Sequence, residues 1–275
     1  VEHIKEALSK SKLRESDKPA PRKVPTGSGA LRISPLPSPK KQDSEAWAPR
    51  KVSLDPAHLE RMRIVSYGTT DPNHIAFNLL RTRVRKQVDD NGWHKIAITS
   101  PTAGCGKTMV AINLAFSLAR SPDAKIVLVD LDLKKPAVAK TLGIEPTGSI
   151  SRYLQGSGTP HGCFVEVDPN LIIGLNFEQI RQSSELLQSS RMADLIDFIE
   201  AEFSPTLIVF DLPPMLSCDD ALVFLPRVDS SLLVVAAGTT KVPEIDECET
   251  QISNLDKFMG VVMNKTEDTP KEYYY

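Results

Sequence analysis

The chain has 275 residues, 41% of them hydrophobic, which allows one sizeable α/β core with additional segments. Its 33 basic and 35 acidic side chains leave a formal charge of −2, so no global field draws it to nucleic acid or anionic lipid, and nucleic acid is not expected as a partner. Four scattered cysteines without a Cys-x-x-Cys pair argue against a disulfide framework or a zinc site. No apolar run reaches the ~18 to 20 residues of a membrane span, and no secretory signal pattern opens the chain, so a cytoplasmic location is expected.

Taken in order, Ile4, Ala7, Leu8 and Leu13 fall near helical spacing and predict a short N-terminal helix. Lys18 to Pro56 is crowded with proline, serine and basic residues, a composition that cannot bury enough apolar surface to fold. Before Asp55 there are twelve Lys or Arg against six acids. Residues 1–56 are therefore expected to be a disordered, basic, Pro-rich leader, and residues 57–265 the folded domain. Ile75 to Arg85 predicts a helix whose apolar face is Ile75, Leu79 and Leu80. Strands are predicted at Lys95–Thr99, Lys125–Asp130, Leu171–Leu175, Thr206–Asp211, Ser231–Ala237 and Gly260–Asn264, with helices at Lys107–Arg120, Ser184–Glu202 and Val242–Lys257. Continuous Ile/Val/Leu strands alternating with helices predict a mainly parallel sheet covered on both faces, a three-layer α/β domain. Residues 266–275 form a short polar tail ending in Tyr273, Tyr274 and Tyr275.

The strongest chemical signal is the strand and loop from Ile96 to Thr108, ending Ala103-Gly-Cys-Gly-Lys-Thr108 and opening a helix. Gly104 and Gly106 let backbone N–H groups cradle phosphates, and the helix dipole adds to that field. Lys107 is placed to reach the β- and γ-phosphates and Thr108 to give its hydroxyl to Mg²⁺. Ala103 to Met109 are the predicted nucleotide contacts, although Pro101 stands where the usual first glycine of this P-loop would be. The second strand ends in Val129-Asp-Leu-Asp-Leu-Lys-Lys-Pro136, and the alternation of an extended chain sends Asp130 and Asp132 to one side. Asp211 reaches the same carboxyl edge in Ile208-Val-Phe-Asp-Leu-Pro-Pro214. Thr108, Asp130 and Asp211 are the expected metal ligands, with ATP and Mg²⁺ as the cofactors of a P-loop NTPase fold. Cys105, beside a helix N-terminus, is a candidate redox-sensitive thiol; the alternative is a small side chain tolerated at a variable loop position.

From about Asp71 onward these motifs resemble the bacterial tyrosine kinases that control capsule and exopolysaccharide production, in their soluble form. Gly148 to Gly156, Ser184 to Leu187, Asp220-Ala221 and Gly260 to Asn264 resemble the family's connecting blocks, and the terminal tyrosines resemble its autophosphorylation target. The resemblance implies an ATP-dependent protein-tyrosine autokinase in which Lys107, Asp130 and Asp132 are catalytic. Asp130 is the first choice for base and metal holder, Asn264 contacts the nucleotide, and Tyr273, Tyr274 and Tyr275 of a neighbouring subunit accept phosphate. It also implies a homo-oligomer, a membrane co-polymerase or chain-length regulator as activator, a cognate tyrosine phosphatase, and recruitment to the inner face of the plasma membrane. Two departures stand out. Lys134 replaces the family's usual Arg, and the Glu-x-x-Arg-x-x-Arg helix, aligned on Arg81, has Ile75 and Asn78 at its other positions. The sister group of chromosome-partitioning and division-site ATPases shares most motifs but carries an early loop lysine where this chain has Thr102. A scaffold that binds ATP without turning it over is the third reading.

Overall fold

A computed structural model describes residues 47–68 and 71–266. The predicted N-terminal helix, most of the leader and the three tail tyrosines lie outside these residues. Eight strands form one sheet: β1 (Arg50–Lys51), β2 (Lys95–Thr99), β3 (Ile126–Asp130), β4 (Phe164–Asp168), β5 (Leu171–Gly174), β6 (Leu207–Asp211), β7 (Ser230–Ala236) and β8 (Phe258–Asn264). The helices among the described residues are α1 (Pro56–Arg61), α2 (His74–Asn91), α3 (Lys107–Ala119), α4 (Val138–Leu142), α5 (Ile150–Leu154), α6 (Ser183–Gln188), α7 (Ser190–Phe203), α8 (Asp220–Phe224) and α9 (Val242–Ser253).

The strands run in the order β1-β4-β5-β3-β6-β2-β7-β8, parallel throughout except for the antiparallel pair β4 and β5. Alternation along the central strands sorts their side chains into two apolar layers. Ile96 and Ile98, Ile126 and Leu128, and Leu207 and Val209 join the layer that buries α3 and α4. Ala97, Val127 and Val129, and Ile208 and Phe210 face the layer that holds α5, α7 and α8. The three-layer, mainly parallel α/β architecture is thus as the sequence implied.

The folded unit opens earlier than residue 57. Trp47 packs beside Phe198 and Phe203, β1 pairs with β4, and Leu54 is buried. Two extended residues with exposed, charged side chains leave no periodic trace, so composition alone placed them in the leader. The single helix expected over Ser184–Glu202 is two, because Ser189 takes an extended conformation and its hydroxyl accepts the Met192 N–H at 3.3 Å, capping α7. Helix α2 is longer than expected and turned: Phe77, Leu80, Val84 and Val88 face the core, while Ile75 and Leu79 are exposed.

Candidate active site

The site is built where β2, β6 and β3, adjacent in the sheet, end at one edge. After β2 the chain enters a loop tied down by the segment that follows β6. Thr99 donates through its hydroxyl to the Pro213 carbonyl at 2.8 Å, and the Met215 and Leu216 N–H groups donate to the carbonyls of Ser100 and Pro101 at 2.8 and 3.0 Å. Gly104 and Gly106 adopt φ of 85° and 89°, a left-handed backbone that other residues enter only with strain. Gly106 caps α3, and a Cβ there would collide with the Asn264 amide. Asn264 itself donates to the Cys105 carbonyl at 2.9 Å, fastening the end of β8 to the loop.

Lys107 and Thr108 open α3 and meet the acids. The Lys107 ammonium lies 2.8 Å from Asp132 Oδ2 and 3.4 Å from Asp211 Oδ1. Thr108 donates its hydroxyl to Asp211 Oδ2 at 2.6 Å. Burial by itself would lower the Lys107 pKa, but Asp211, and then Asp132, outweigh it and hold the ammonium above its ordinary value. Asp211 is fully buried, and that burial raises its carboxyl despite Lys107 and Thr108.

Asp130 is held by backbone donors. Its Oδ2 accepts the N–H groups of Ala137 and Val138, each at 3.0 Å, and its Oδ1 accepts the Asp132 N–H at 3.2 Å. It is fully buried and forms no ion pair with Lys107; burial and then the neighbouring Asp211 hold its carboxyl above the usual range. Strand β3 stops at Asp130, so Asp132 lies on the loop that follows it. Asp132 is then turned by its own loop, its Oδ1 accepting the Lys135 N–H at 2.9 Å and its Oδ2 facing Lys107.

The remaining candidates divide in the same way. Cys105 is buried, with its sulfur 3.7 Å from the Thr102 hydroxyl and 3.5 Å from that of Thr240. Burial pushes this thiol up, but the Thr240 and Thr102 hydroxyls and nearby backbone groups bring it net below its ordinary value. Met109 and Asn264 line one end of a groove of about 810 Å³ that runs along β8 to α2, a volume within the range of ligand pockets. The Lys134 ammonium lies 3.7 Å from Asp220 and 3.3 Å from the Arg181 carbonyl. Thr240 and the Lys134 partners were not foreseen as site residues; a partner supplied by a distant loop leaves no local pattern to read.

No three His, Cys, Asp or Glu side chains converge as a metal cage among the described residues. The donors fit Mg²⁺ nonetheless, since that ion takes one or two carboxylates and completes its shell with water and phosphate oxygens. Asp211, Asp132 and the Thr108 hydroxyl supply such a set of hard oxygens beside a phosphate loop.

A glycine loop opening a helix, its lysine held by acids from neighbouring strand ends, defines a P-loop nucleotide-binding protein. The family model described as the CobQ/CobB/MinD/ParA nucleotide binding domain matches residues 96–273, and the chain belongs to that family. EpsB of Ralstonia nicotianae is 28% identical over 74% of this chain, which spans only 27% of EpsB. Tyrosine-protein kinase CpsD of Streptococcus pneumoniae serotype 4 is 29% identical, covering 72% of this chain and 86% of CpsD. The succinoglycan biosynthesis transport protein ExoP of Rhizobium meliloti is 34% identical over 62% of this chain and 22% of its own length. Among solved structures, the kinase domain of Escherichia coli tyrosine kinase ETK superposes with a TM-score of 0.67 and 26% identity, covering 77% of this chain and 84% of that domain. These relatives bear out the resemblance to the bacterial tyrosine kinases. No helix among the described residues is long and apolar enough to cross a membrane.

Proposed function

We propose that this chain is an ATP-dependent protein-tyrosine kinase that regulates exopolysaccharide or capsule synthesis, and that Tyr273, Tyr274 and Tyr275 of one copy are phosphorylated by another. The observation that carries the reading is the Lys107 ammonium, buried at the N-terminus of α3 and held between Asp132 and Asp211. The names of CpsD and ETK support tyrosine as the acceptor, and that of ExoP supports the polysaccharide setting.

The loop Ala103–Gly106 and the start of α3 bind the phosphates through backbone N–H groups, and Lys107 places its charge against the β- and γ-phosphates. Phosphate oxygens and the two carboxylates compete for this one ammonium, so Lys107 exchanges partners as nucleotide enters. Thr108 and Asp211 would hold Mg²⁺, which when bound would supply charge neutralisation on the phosphates. Asp132 takes the role first expected of Asp130, orienting the acceptor phenol and receiving its proton as the phenolic oxygen bonds to the γ-phosphorus and the bond to the β–γ bridging oxygen breaks. Asp130, with both oxygens engaged by backbone N–H groups, shapes the loop that carries Asp132. A membrane chain-length regulator acts as activator and a tyrosine phosphatase as antagonist in this reading.

The test is incubation of the purified chain in Mg-ATP, with and without a candidate membrane activator, and mapping of phosphotyrosine by mass spectrometry. Phosphate on the tail that disappears in Lys107→Met is the expected result; hydrolysis without phosphotyrosine overturns the kinase reading. Transfer between copies is checked by mixing an inactive chain that keeps its tail with an active chain that lacks one. Absence of phosphate on the inactive partner refutes that step.

A further inference from the structure

Asp220, the first residue of α8, is completely buried, and neither of its carboxylate oxygens has a hydrogen-bond partner among the described residues. A buried carboxylate without hydrogen bonds is costly and persists only where a nearby cation compensates it. That cation is Lys134, whose ammonium lies 3.7 Å from Asp220 Oδ1, too far for a hydrogen bond, and donates at 3.3 Å to the Arg181 carbonyl.

Lys134 stands two residues beyond Asp132, on the loop that leaves β3. This loop is fixed at several points. Asp132 faces Lys107 at 2.8 Å and accepts the Lys135 N–H through its side chain at 2.9 Å. The carbonyl of Leu133 accepts the Ile180 N–H at 2.8 Å. Lys134 then reaches from the loop to the two segments that carry Arg181 and Asp220. We propose that Lys134 and Asp220 form a strut that holds this loop so that Asp132 faces Lys107, making both of them positioning residues for phosphoryl transfer. The catalytic part of this inference rests on the kinase reading; the strut itself does not.

The geometry also explains what lysine at 134 gives up. An ammonium is a single point charge, and here it is shared between a carbonyl and one carboxylate oxygen. A guanidinium presents parallel N–H donors matched to both oxygens of a carboxylate. Arginine at this position is therefore expected to complete the Asp220 contact.

The experiment is a thermal and kinetic cycle on the full chain with Lys134→Met, Asp220→Asn, the double variant and Lys134→Arg. Lys134→Met strands a buried charge and should lower the melting midpoint by at least about 4 °C. The double variant should recover most of that loss, because asparagine carries no charge to strand, and Lys134→Arg should raise the midpoint by about 2–4 °C. In kinetics, Asp220→Asn should lower kcat by about 10- to 100-fold through misplacement of Asp132, with nucleotide affinity within about threefold of wild type and Lys134→Arg fully active. Additive thermal losses in the double variant, or an unchanged midpoint in Lys134→Arg, overturn the strut. Equal losses in kcat and nucleotide affinity overturn the positioning role and leave a structural one. If the wild-type chain transfers no phosphate to tyrosine, the kinase reading falls, while the thermal cycle still decides the strut.

Discussion

The ends of β3 and β6 lie side by side, pair Asp130 with Asp211 in register, and bury both carboxylates completely. They are nevertheless held by different donors. Asp211 is met by two side chains from the start of α3, the Lys107 ammonium and the Thr108 hydroxyl. Asp130 is met by three backbone N–H groups from its own descending loop and the start of α4. The same residue type at the same register and burial is held by side-chain donors at one strand end and by backbone donors at the other.

The largest expected effect comes from removing the cation that distinguishes the two ends. Lys107→Met should abolish phosphotransfer and, by leaving Asp211 and Asp132 without their counter-ion, cost about 3–5 kcal/mol of stability in denaturant unfolding. Equal stability in the variant would mean that Asp211 is as self-sufficient as Asp130. Thr108→Val keeps the shape of the side chain and removes the donor at 2.6 Å from Asp211, a loss of about 1.5–3 kcal/mol on the scale of hydrogen bonds to charged groups. The matching change at the other end has no side-chain donor to remove, so Ala137→Val should leave the Asp130 contacts in place; loss of phosphotransfer in that variant would erase the contrast.

A third test uses pH. Burial, and then Asp211, raise the Asp130 carboxyl above its unfolded value, so its contribution to stability is full below the ordinary carboxylate range and is lost as pH rises through the raised value. Asp211 shifts in the same direction through its burial. The melting midpoint should therefore fall from acid toward neutral and alkaline pH by more than a chain with ordinary carboxylates would show, and Asp130→Asn should flatten part of that slope. A slope unchanged in the variant would remove Asp130 from the account. The smallest effect is expected at Cys105, 1% exposed behind Thr102 and Thr240. Cys105→Ser should leave peroxide sensitivity of nucleotide binding unaltered, and abolition of that sensitivity would restore the redox reading.

The central strands were legible because parallel strands buried on both faces read as uninterrupted apolar runs; β2 matches its expected limits residue for residue. Strand β4 was missed for the converse reason. Its Val165-Glu-Val167 alternation is that of a strand near the sheet's edge, and its antiparallel return into β5 is not part of an alternating strand and helix pattern. In the site, Lys107, Thr108 and Asp211 are adjacent to one another as the motifs implied. The hydrogen-bond partners of Asp130 and Asp132 were not legible, because they turn on where β3 stops and how residues 131–137 bend. Helix α2 showed its helicity but not its facing, since Ile75 and Leu79 make as plausible a stripe in sequence as Phe77, Leu80, Val84 and Val88.

The hydrogen bond from Asn264 to the Cys105 carbonyl gives the end of the chain a leash of known length. The last strand finishes in contact with the phosphate loop, and Tyr273, Tyr274 and Tyr275 follow nine to eleven residues later. Fully extended, eleven residues span at most about 40 Å. Transfer between copies thus sets a limit on assembly. For Tyr275 to be the acceptor, the phosphate loop of one copy and residue 264 of the next must come within about 40 Å, and an arrangement that holds them farther apart cannot support the proposed reaction.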